Sequence, residues 1–230
     1  MFKRVRHQVI HKLLQAFNRE ILQEAECFFG GGTAIVLLLN EYRESVDIDF
    51  LCSSRAGFRL LRETVTQHSL GGLLNAPVSY LREVRADMYG IRTFVEREGV
   101  RVKIEIVSEG RIELEGYFDP VLGVPLLSRE DMYAEKLLAN TDRGLDKSTF
   151  SRDMIDLAMM IRQWGPIPAD SLSKARAAYG KSVDKAFSDV AALMCDKAYL
   201  SLCLEKMSMD KALLNPMMAM FSSTRGPALP

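Results

Sequence analysis

The chain has 230 residues, with 30 basic and 30 acidic side chains, a formal net charge of zero and a pI near 6.8. This balance excludes a global basic field, so any binding of nucleic acid requires a local patch. The longest apolar run, residues 34–39, is too short to cross a bilayer, and the basic start lacks the apolar region of a secretory signal. The four cysteines lack zinc-site spacing. We therefore expect a cytoplasmic protein without a membrane partner.

The first half of the chain contains most of the predicted strands. Apolar residues at helical spacing predict one amphipathic helix over 7–25. Further along, alternating and buried patterns predict helices over 33–40 and 58–67 and strands over 26–30, 45–52, 77–84, 90–97 and 100–107. Glu98-Gly99 joins the last two strands as a predicted hairpin.

The second half is predicted to be helical. Residues 126–144 predict a helix with Ser128 as its N-cap, and residues 150–164 predict another that ends before Pro166. The remainder, 168–220, has helical periodicity. Strands therefore lie mainly before residue 125 and helices after it, which predicts an α+β protein with two regions, 1–125 and 126–230.

Three acidic residues stand on strand faces that burial alone does not explain. In "VDIDF", Asp47 and Asp49 point away from their apolar neighbours, and Glu105 in "KIEIV" has the same relation to its strand. If the strands are neighbours, the three carboxylates converge, and a hard cation such as Mg²⁺ neutralises them. Two such ions clamp the oxygens of a phosphoryl transfer. A solvated sheet face is the alternative.

A glycine run connects a predicted strand to a predicted helix. Gly30, Gly31, Gly32 and Thr33 let the backbone approach a ligand closely and direct free amides at it, which favours an anion site. The P-loop pattern is absent, and Ile35 replaces the third glycine of the dinucleotide fingerprint. A tight turn that binds nothing remains the alternative.

These residues together resemble a known family. "GGT", a short helix and "R-x-S-x-D-I-D-F" are similar to the signature of the AbiEii/AbiGii abortive-infection toxins, a branch of the DNA-polymerase-β-like nucleotidyltransferases. The positions that match are Gly31, Gly32, Thr33, Arg43, Ser45, Asp47 and Asp49, with Glu105 where a third carboxylate is expected.

A second set of matches lies downstream. "SREDMYAEKLLA" and "SRDMIDL" resemble the family's Lys-containing helix and its later Asp-containing helix through Lys136, Arg152, Asp153 and Asp156. Lys136 could neutralise triphosphate charge. Asp153 is either a general base or the group that orients Lys136, and a solvated helix with an internal ion pair is the alternative.

The resemblance implies a fold and an activity. The fold is a nucleotidyltransferase-like mixed sheet with flanking helices and a C-terminal helical bundle. The implied reaction moves an NMP from an NTP to an acceptor, plausibly tRNA, with Mg²⁺ at a two-ion site, in a growth-inhibiting toxin that has a cognate antitoxin. Asp47, Asp49 and Glu105 would hold metal. The nucleotide would contact Gly31, Gly32, Thr33, Ser45, Lys136 and Arg152.

Two other functions are open at this point. One is a nucleotidyltransferase that acts on a small molecule or a protein, such as an antibiotic-modifying enzyme. The other is a catalytically silent nucleotide-binding module that acts through its helical half. Metal-dependent NTP turnover distinguishes the enzymes from the module, and an acceptor screen distinguishes tRNA from small molecules.

Overall fold

The structure is a computed structural model that describes residues 2–223. Its helices are α1 (Val5–Leu14), α2 (Arg19–Glu24), α3 (Gly31–Leu38), α4 (Arg55–Thr64), α5 (Arg129–Arg143), α6 (Arg152–Trp164), α7 (Ala169–Tyr179), α8 (Ser182–Met194), α9 (Lys197–Lys206) and α10 (Leu214–Ser223). Its strands are β1 (Cys27–Gly30), β2 (Ile48–Cys52), β3 (Ser79–Tyr80), β4 (Arg85–Ala86), β5 (Gly90–Arg97), β6 (Val100–Ser108), β7 (Gly116–Asp119) and β8 (Val124–Leu127). The described residues form two compact units: one contains 2–37 together with 45–128, and the other contains 38–44 together with 129–223.

The first unit is built on one mixed sheet. Its strand order is β3-β5-β6-β2-β1-β8-β7, and β4 also pairs with β5. β2 and β6 are parallel, as are β1 and β8, and the other pairs are antiparallel. A mixed sheet with flanking helices confirms the predicted α+β class.

The strand register places one row of residues across the sheet. Residues directly opposite each other on neighbouring strands point to the same face. From the β4 edge inward the row reads Arg85, Arg92, Glu105, Asp49 and Gly30. The alternate residues Ile48, Phe50, Ile104 and Ile106 are fully buried and form the core face, so we call the opposite side, with Arg92 and Glu105, the outer face.

The predicted helix over 7–25 is in fact two helices. α1 ends at Leu14, and Asn18 then starts α2 by accepting hydrogen bonds from the amides of Glu20 and Ile21. The apolar spacing continued across the break because Phe17 is itself buried, in a β-bridge with Leu74. The N-cap asparagine therefore sets the start of α2, although the spacing of apolar residues continues across the break.

One predicted strand is shorter than expected, and the predicted hairpin is present. The strand over 45–52 begins only at Ile48, because the preceding segment is held by side chains and not by the sheet ladder. The hairpin between β5 and β6 is confirmed, with φ of 51° at Glu98 and 74° at Gly99. Two successive positive φ values are typical of a two-residue type I′ turn.

The second unit is helical and confirms the predicted C-terminal bundle. Leu137, Leu138 and Phe187 are among its buried side chains. Residues 38–44 belong to this unit, where the Glu44 amide donates to the Met207 carbonyl at 3.0 Å. The division of the chain into domains at 1–125 and 126–230 remains a prediction.

Candidate active site

The glycine turn lies directly against one of the acidic residues. α3 starts at Gly31, immediately after β1, and Gly31 has a φ of +67°. A Cβ atom at this position would lie 2.6 Å from the Asp49 Oδ2 and 2.9 Å from the Asp49 Cβ. Only glycine permits both this conformation and this approach. The first turn of a helix and a carboxylate thus form one local site, where helix amides favour anions.

Side chains hold the acidic segment beside that turn. The Thr33 and Ser45 hydroxyls are 2.8 Å apart and hydrogen-bonded, and Thr33 is buried. The Ser45 amide donates to the Nε2 of the fully buried His7 at 3.3 Å. The chain entering β2, which contains the half-buried Asp47, is therefore fixed at Ser45 from two sides.

Glu105 lies opposite Asp49 on the neighbouring strand, which meets the condition under which the sequence predicted that their carboxylates converge. Arg92 Nε donates to Glu105 Oε1 at 2.6 Å, and Lys103 Nζ donates to Glu105 Oε2. Burial alone would raise the pKa of Glu105, but hydrogen bonds from Lys103 and Arg92 outweigh it and lower that pKa. The third predicted carboxylate is thus neutralised by two cations of the protein.

The arrangement of the acidic residues suits a magnesium ion that takes most of its ligands from substrate phosphates and water. Within residues 2–223, no group of three or more His, Cys, Asp or Glu side chains is arranged to hold a metal. Mg²⁺ is usually bound by one or two carboxylates, with substrate phosphates and water completing its octahedron. Asp49 lies against the glycine turn and Asp47 precedes Asp49 by two residues, so one or two carboxylates are available to such an ion. The metal role of Glu105 remains a prediction.

The downstream matches meet in a buried ionic cluster within the helical unit. Lys136 Nζ lies 2.8 Å from Asp153 Oδ1 and 2.6 Å from Asp156 Oδ2, and its side chain is only 7% exposed. Arg143 Nε donates to Asp153 Oδ2 at 2.7 Å. Burial would raise the pKa of Asp153, but Lys136 and Arg143 hold it well below its usual range.

The same cluster reaches the segment of residues 38–44. Arg43 donates to both oxygens of Asp156, from Nε at 2.7 Å and from Nη2 at 2.9 Å, and the Tyr42 hydroxyl donates to Oδ1 at 2.6 Å. Burial would raise the pKa of Asp156, and the positive charges of Arg43 and Lys136 lower it. This geometry favours orientation of Lys136 by its aspartates.

Sequence reasoning missed several partners of these residues. His7, Tyr42, Arg92 and Lys103 were assigned no role, because only the folded chain brings them to their carboxylate or amide partners. The alternation of β6 did place Lys103 on the face of Glu105, which was the one available signal. Arg152 is exposed at the start of α6, and its contact with nucleotide remains a prediction.

Comparison with known proteins decides the family. The family model for the AbiEii nucleotidyl transferase toxins, of type IV toxin–antitoxin systems, matches residues 12–225. The chain belongs to this family. A search of curated proteins found no relative.

Two solved structures share the fold. One is a candidate nucleotidyltransferase from H. pylori, with 16% identity, a TM-score of 0.52 and coverage of 95% of this chain and 93% of the other. The second is JHP933 from Helicobacter pylori, with 15% identity, a TM-score of 0.53 and coverage of 98% and 94%. At this identity the likeness concerns the fold.

Membership in the AbiEii family establishes the enzyme class of the protein. The protein is a nucleotidyltransferase, which confirms the predicted enzyme class, and the family places it among toxins of type IV toxin–antitoxin systems. In residues 2–223, no helix is long and apolar enough to span a membrane.

Proposed function

We propose that this AbiEii-type protein transfers an NMP from an NTP to an RNA acceptor in a Mg²⁺-dependent reaction that inhibits cell growth. The observation that carries the proposal is the contact of the Gly31 turn with Asp49, because it combines a phosphate-binding backbone and a metal-binding carboxylate in one site. tRNA is the acceptor that the family resemblance implies. A cognate antitoxin restrains the activity in the cytoplasm, where the RNA acceptor is found.

The glycine turn binds the triphosphate in this scheme. The amides of Gly31 and Gly32 at the start of α3 face the phosphate oxygens, and Thr33 adds a hydroxyl next to Ser45. The Thr33–Ser45 hydrogen bond fixes this turn relative to the acidic segment. Such fixed donors lower the barrier because they need no reorganisation when charge develops.

Asp47 and Asp49 hold the divalent ion. When bound, Mg²⁺ neutralises the triphosphate and the departing pyrophosphate. The acceptor oxygen forms a bond to the α-phosphorus, the bond from that phosphorus to the pyrophosphate oxygen breaks, and the hydroxyl proton passes to solvent. Glu105 joins as a third carboxylate only if it gives up a hydrogen bond from Arg92 or Lys103.

Lys136 contacts the nucleotide, and Asp153 orients it. The Lys136 ammonium has three donors, and its two aspartate partners account for two of them. A buried lysine fixed in this way supplies a positive charge at a defined position. Its role is testable by nucleotide binding without turnover.

A labelling experiment tests the proposal. The protein is incubated with each α-labelled NTP, Mg²⁺ and total cellular RNA, and the RNA is separated by size. Label in the tRNA fraction with one preferred NTP supports the proposal. Label on protein or small molecules, with none on RNA, would show that RNA is not the acceptor. No label on any of these would contradict the proposed transfer.

A further inference from the structure

The outer face of the sheet is rich in cations near the edge that β3 and β4 form beside β5. Arg82, Arg85 and Arg101 are exposed, and Arg92 and Lys103 are about one-third exposed. The outer face of β5 and β6 also contains Glu96 and Glu105, and Asp87 in the β4–β5 turn pairs with Arg92 at 3.3 Å, so five positive charges stand against three negative ones. We call these five cations, Arg82, Arg85, Arg92, Arg101 and Lys103, the outer strip.

The outer strip continues directly from the candidate active site. Arg85 lies opposite Arg92, Arg92 opposite Glu105, and Glu105 opposite Asp49. Neighbouring strands are about 4.8 Å apart, so three strand spacings, roughly 14 Å, separate Arg85 from Asp49. A polymer whose end reacts beside Asp49 would therefore lie across the outer strip.

Aromatic side chains accompany the cations. Tyr89 is 67% exposed at the tip of the β4–β5 hairpin, next to the equally exposed Met88. On the outer face the Arg82 guanidinium lies over the Phe94 ring, 4.9 Å from its centroid. Guanidinium groups that track phosphates, with aromatic rings on which bases stack, are typical of surfaces that bind single-stranded nucleic acid.

We propose that the outer strip binds the unpaired end of the RNA acceptor, with phosphates on Arg82, Arg85 and Arg101 and one base stacked on Tyr89. The proposal rests on the proposed function, because it assigns the acceptor path of the same site. Arg92 and Lys103 neutralise Glu105 at the junction of strip and site, which reduces the repulsion that a carboxylate would exert on the RNA backbone.

A second basic surface serves as the matched control. Arg59 and Arg62 of α4 border a cavity of about 510 Å³. Arg59 faces Glu63 at 4.0 Å, and the other walls are aliphatic or polar: Val65, Thr66, Gln67, Val84 and Ala86. This surface offers similar charge without an aromatic ring, so it separates non-specific attraction from the proposed path.

Fluorescence anisotropy of a labelled, unpaired RNA 12-mer with the full chain, over a series of salt concentrations, tests the proposal. The double variant Arg82→Ser/Arg85→Ser should bind about tenfold or more weakly, and the salt slope of its binding constant should fall by roughly 0.7 for each phosphate that is no longer neutralised. Tyr89→Ala should weaken binding by about tenfold with the slope unchanged, because stacking releases no counterions. Arg59→Ser/Arg62→Ser should bind like wild type.

Several results would overturn the proposal. These are unchanged binding in the Arg82/Arg85 variant, a larger loss in the Arg59/Arg62 variant, equal affinity for a blunt RNA duplex, or no RNA binding by wild type. Melting temperatures equal to wild type ensure that the variants are folded, and Arg85→Glu alone repeats the test with one exposed residue. The assay contains no NTP. The binding result therefore stands even if the protein does not transfer nucleotide. If the protein does transfer nucleotide to RNA but the strip variants bind RNA like wild type, only the role of the outer strip is refuted.

Discussion

Gly31 shows most clearly how a single residue links the fold to the chemistry. Its positive φ turns β1 into α3, and its missing side chain leaves room for the Asp49 carboxylate. The sequence indicated the turn and the acid separately. Their contact depends on the pairing of β1 with β2, which no local pattern contains.

We expect Gly31→Ala to lose transfer activity by at least about 100-fold. The new Cβ would displace Asp49, and a residue with a side chain at a positive φ costs about 1–2 kcal/mol of stability. Gly99→Ala is the matched control, because Gly99 has a φ of +74° and no atom lies within 4 Å of the position that its Cβ would take. Thermal melts should show that both variants are destabilised but folded, so a loss of activity in Gly31→Ala alone reports the displaced carboxylate. Equal activity of the two would contradict the contact's role.

Glu105 has two possible roles, which its variants distinguish. If it completes the metal site, Glu105→Gln should lose most activity, Glu105→Asp should retain some, and both should need more Mg²⁺ because a ligand is weakened or removed. A Mg²⁺ titration of transfer rate measures this. Wild-type curves for both variants would show that Glu105 serves only Arg92 and Lys103.

At the scale of elements, the helical unit depends on charges that are removed from water. Lys136 bonds to two buried aspartates, so Lys136→Met leaves both with fewer partners and should cost about 3–5 kcal/mol. If Lys136 also contacts the triphosphate, calorimetry on the folded variant should show weaker NTP binding and kinetics a higher KM. Unchanged NTP affinity in a destabilised protein would reduce Lys136 to a structural role.

The same cluster predicts acid sensitivity. The folded state lowers the pKa of Asp153 and of Asp156, so their stabilisation is complete above the unfolded value of about 3.9 and declines as pH falls towards the folded values. Asp156→Asn should therefore lower stability at pH 7 and flatten its decline below about pH 4. Urea unfolding at several pH values checks this. A parallel pH dependence in variant and wild type would contradict it.

Most elements were predictable because local signals agreed with the fold. β5, β6 and their hairpin combine alternation with a Glu-Gly turn, and α5 and α6 have long helical periods. The break between α1 and α2 was missed because a capping asparagine overrode the hydrophobic spacing. The pairing of Lys136 with Asp153 was among the expectations, but the pair of Arg43 and Asp156 was missed because these two residues are far apart in sequence.

For the whole molecule, the sequence predicted more of the candidate site than of the surface around it. The acidic pair and glycine turn stand close together in the chain, and family membership gives them an enzymatic context. The outer strip could not be predicted, because a net charge of zero hides it and strand order creates it. Charge distribution is a property of the folded surface.

The measurement that tests the proposed site most directly compares wild type with Asp49→Asn in the transfer of label from α-labelled NTP to RNA. Asp49 is half-buried and outside the apolar core face, so the variant should melt like wild type. We predict Mg²⁺-dependent transfer by wild type, abolished by EDTA, and at least a thousandfold loss, about 4 kcal/mol, in the variant. Wild-type transfer by a folded Asp49→Asn protein would contradict the proposed site.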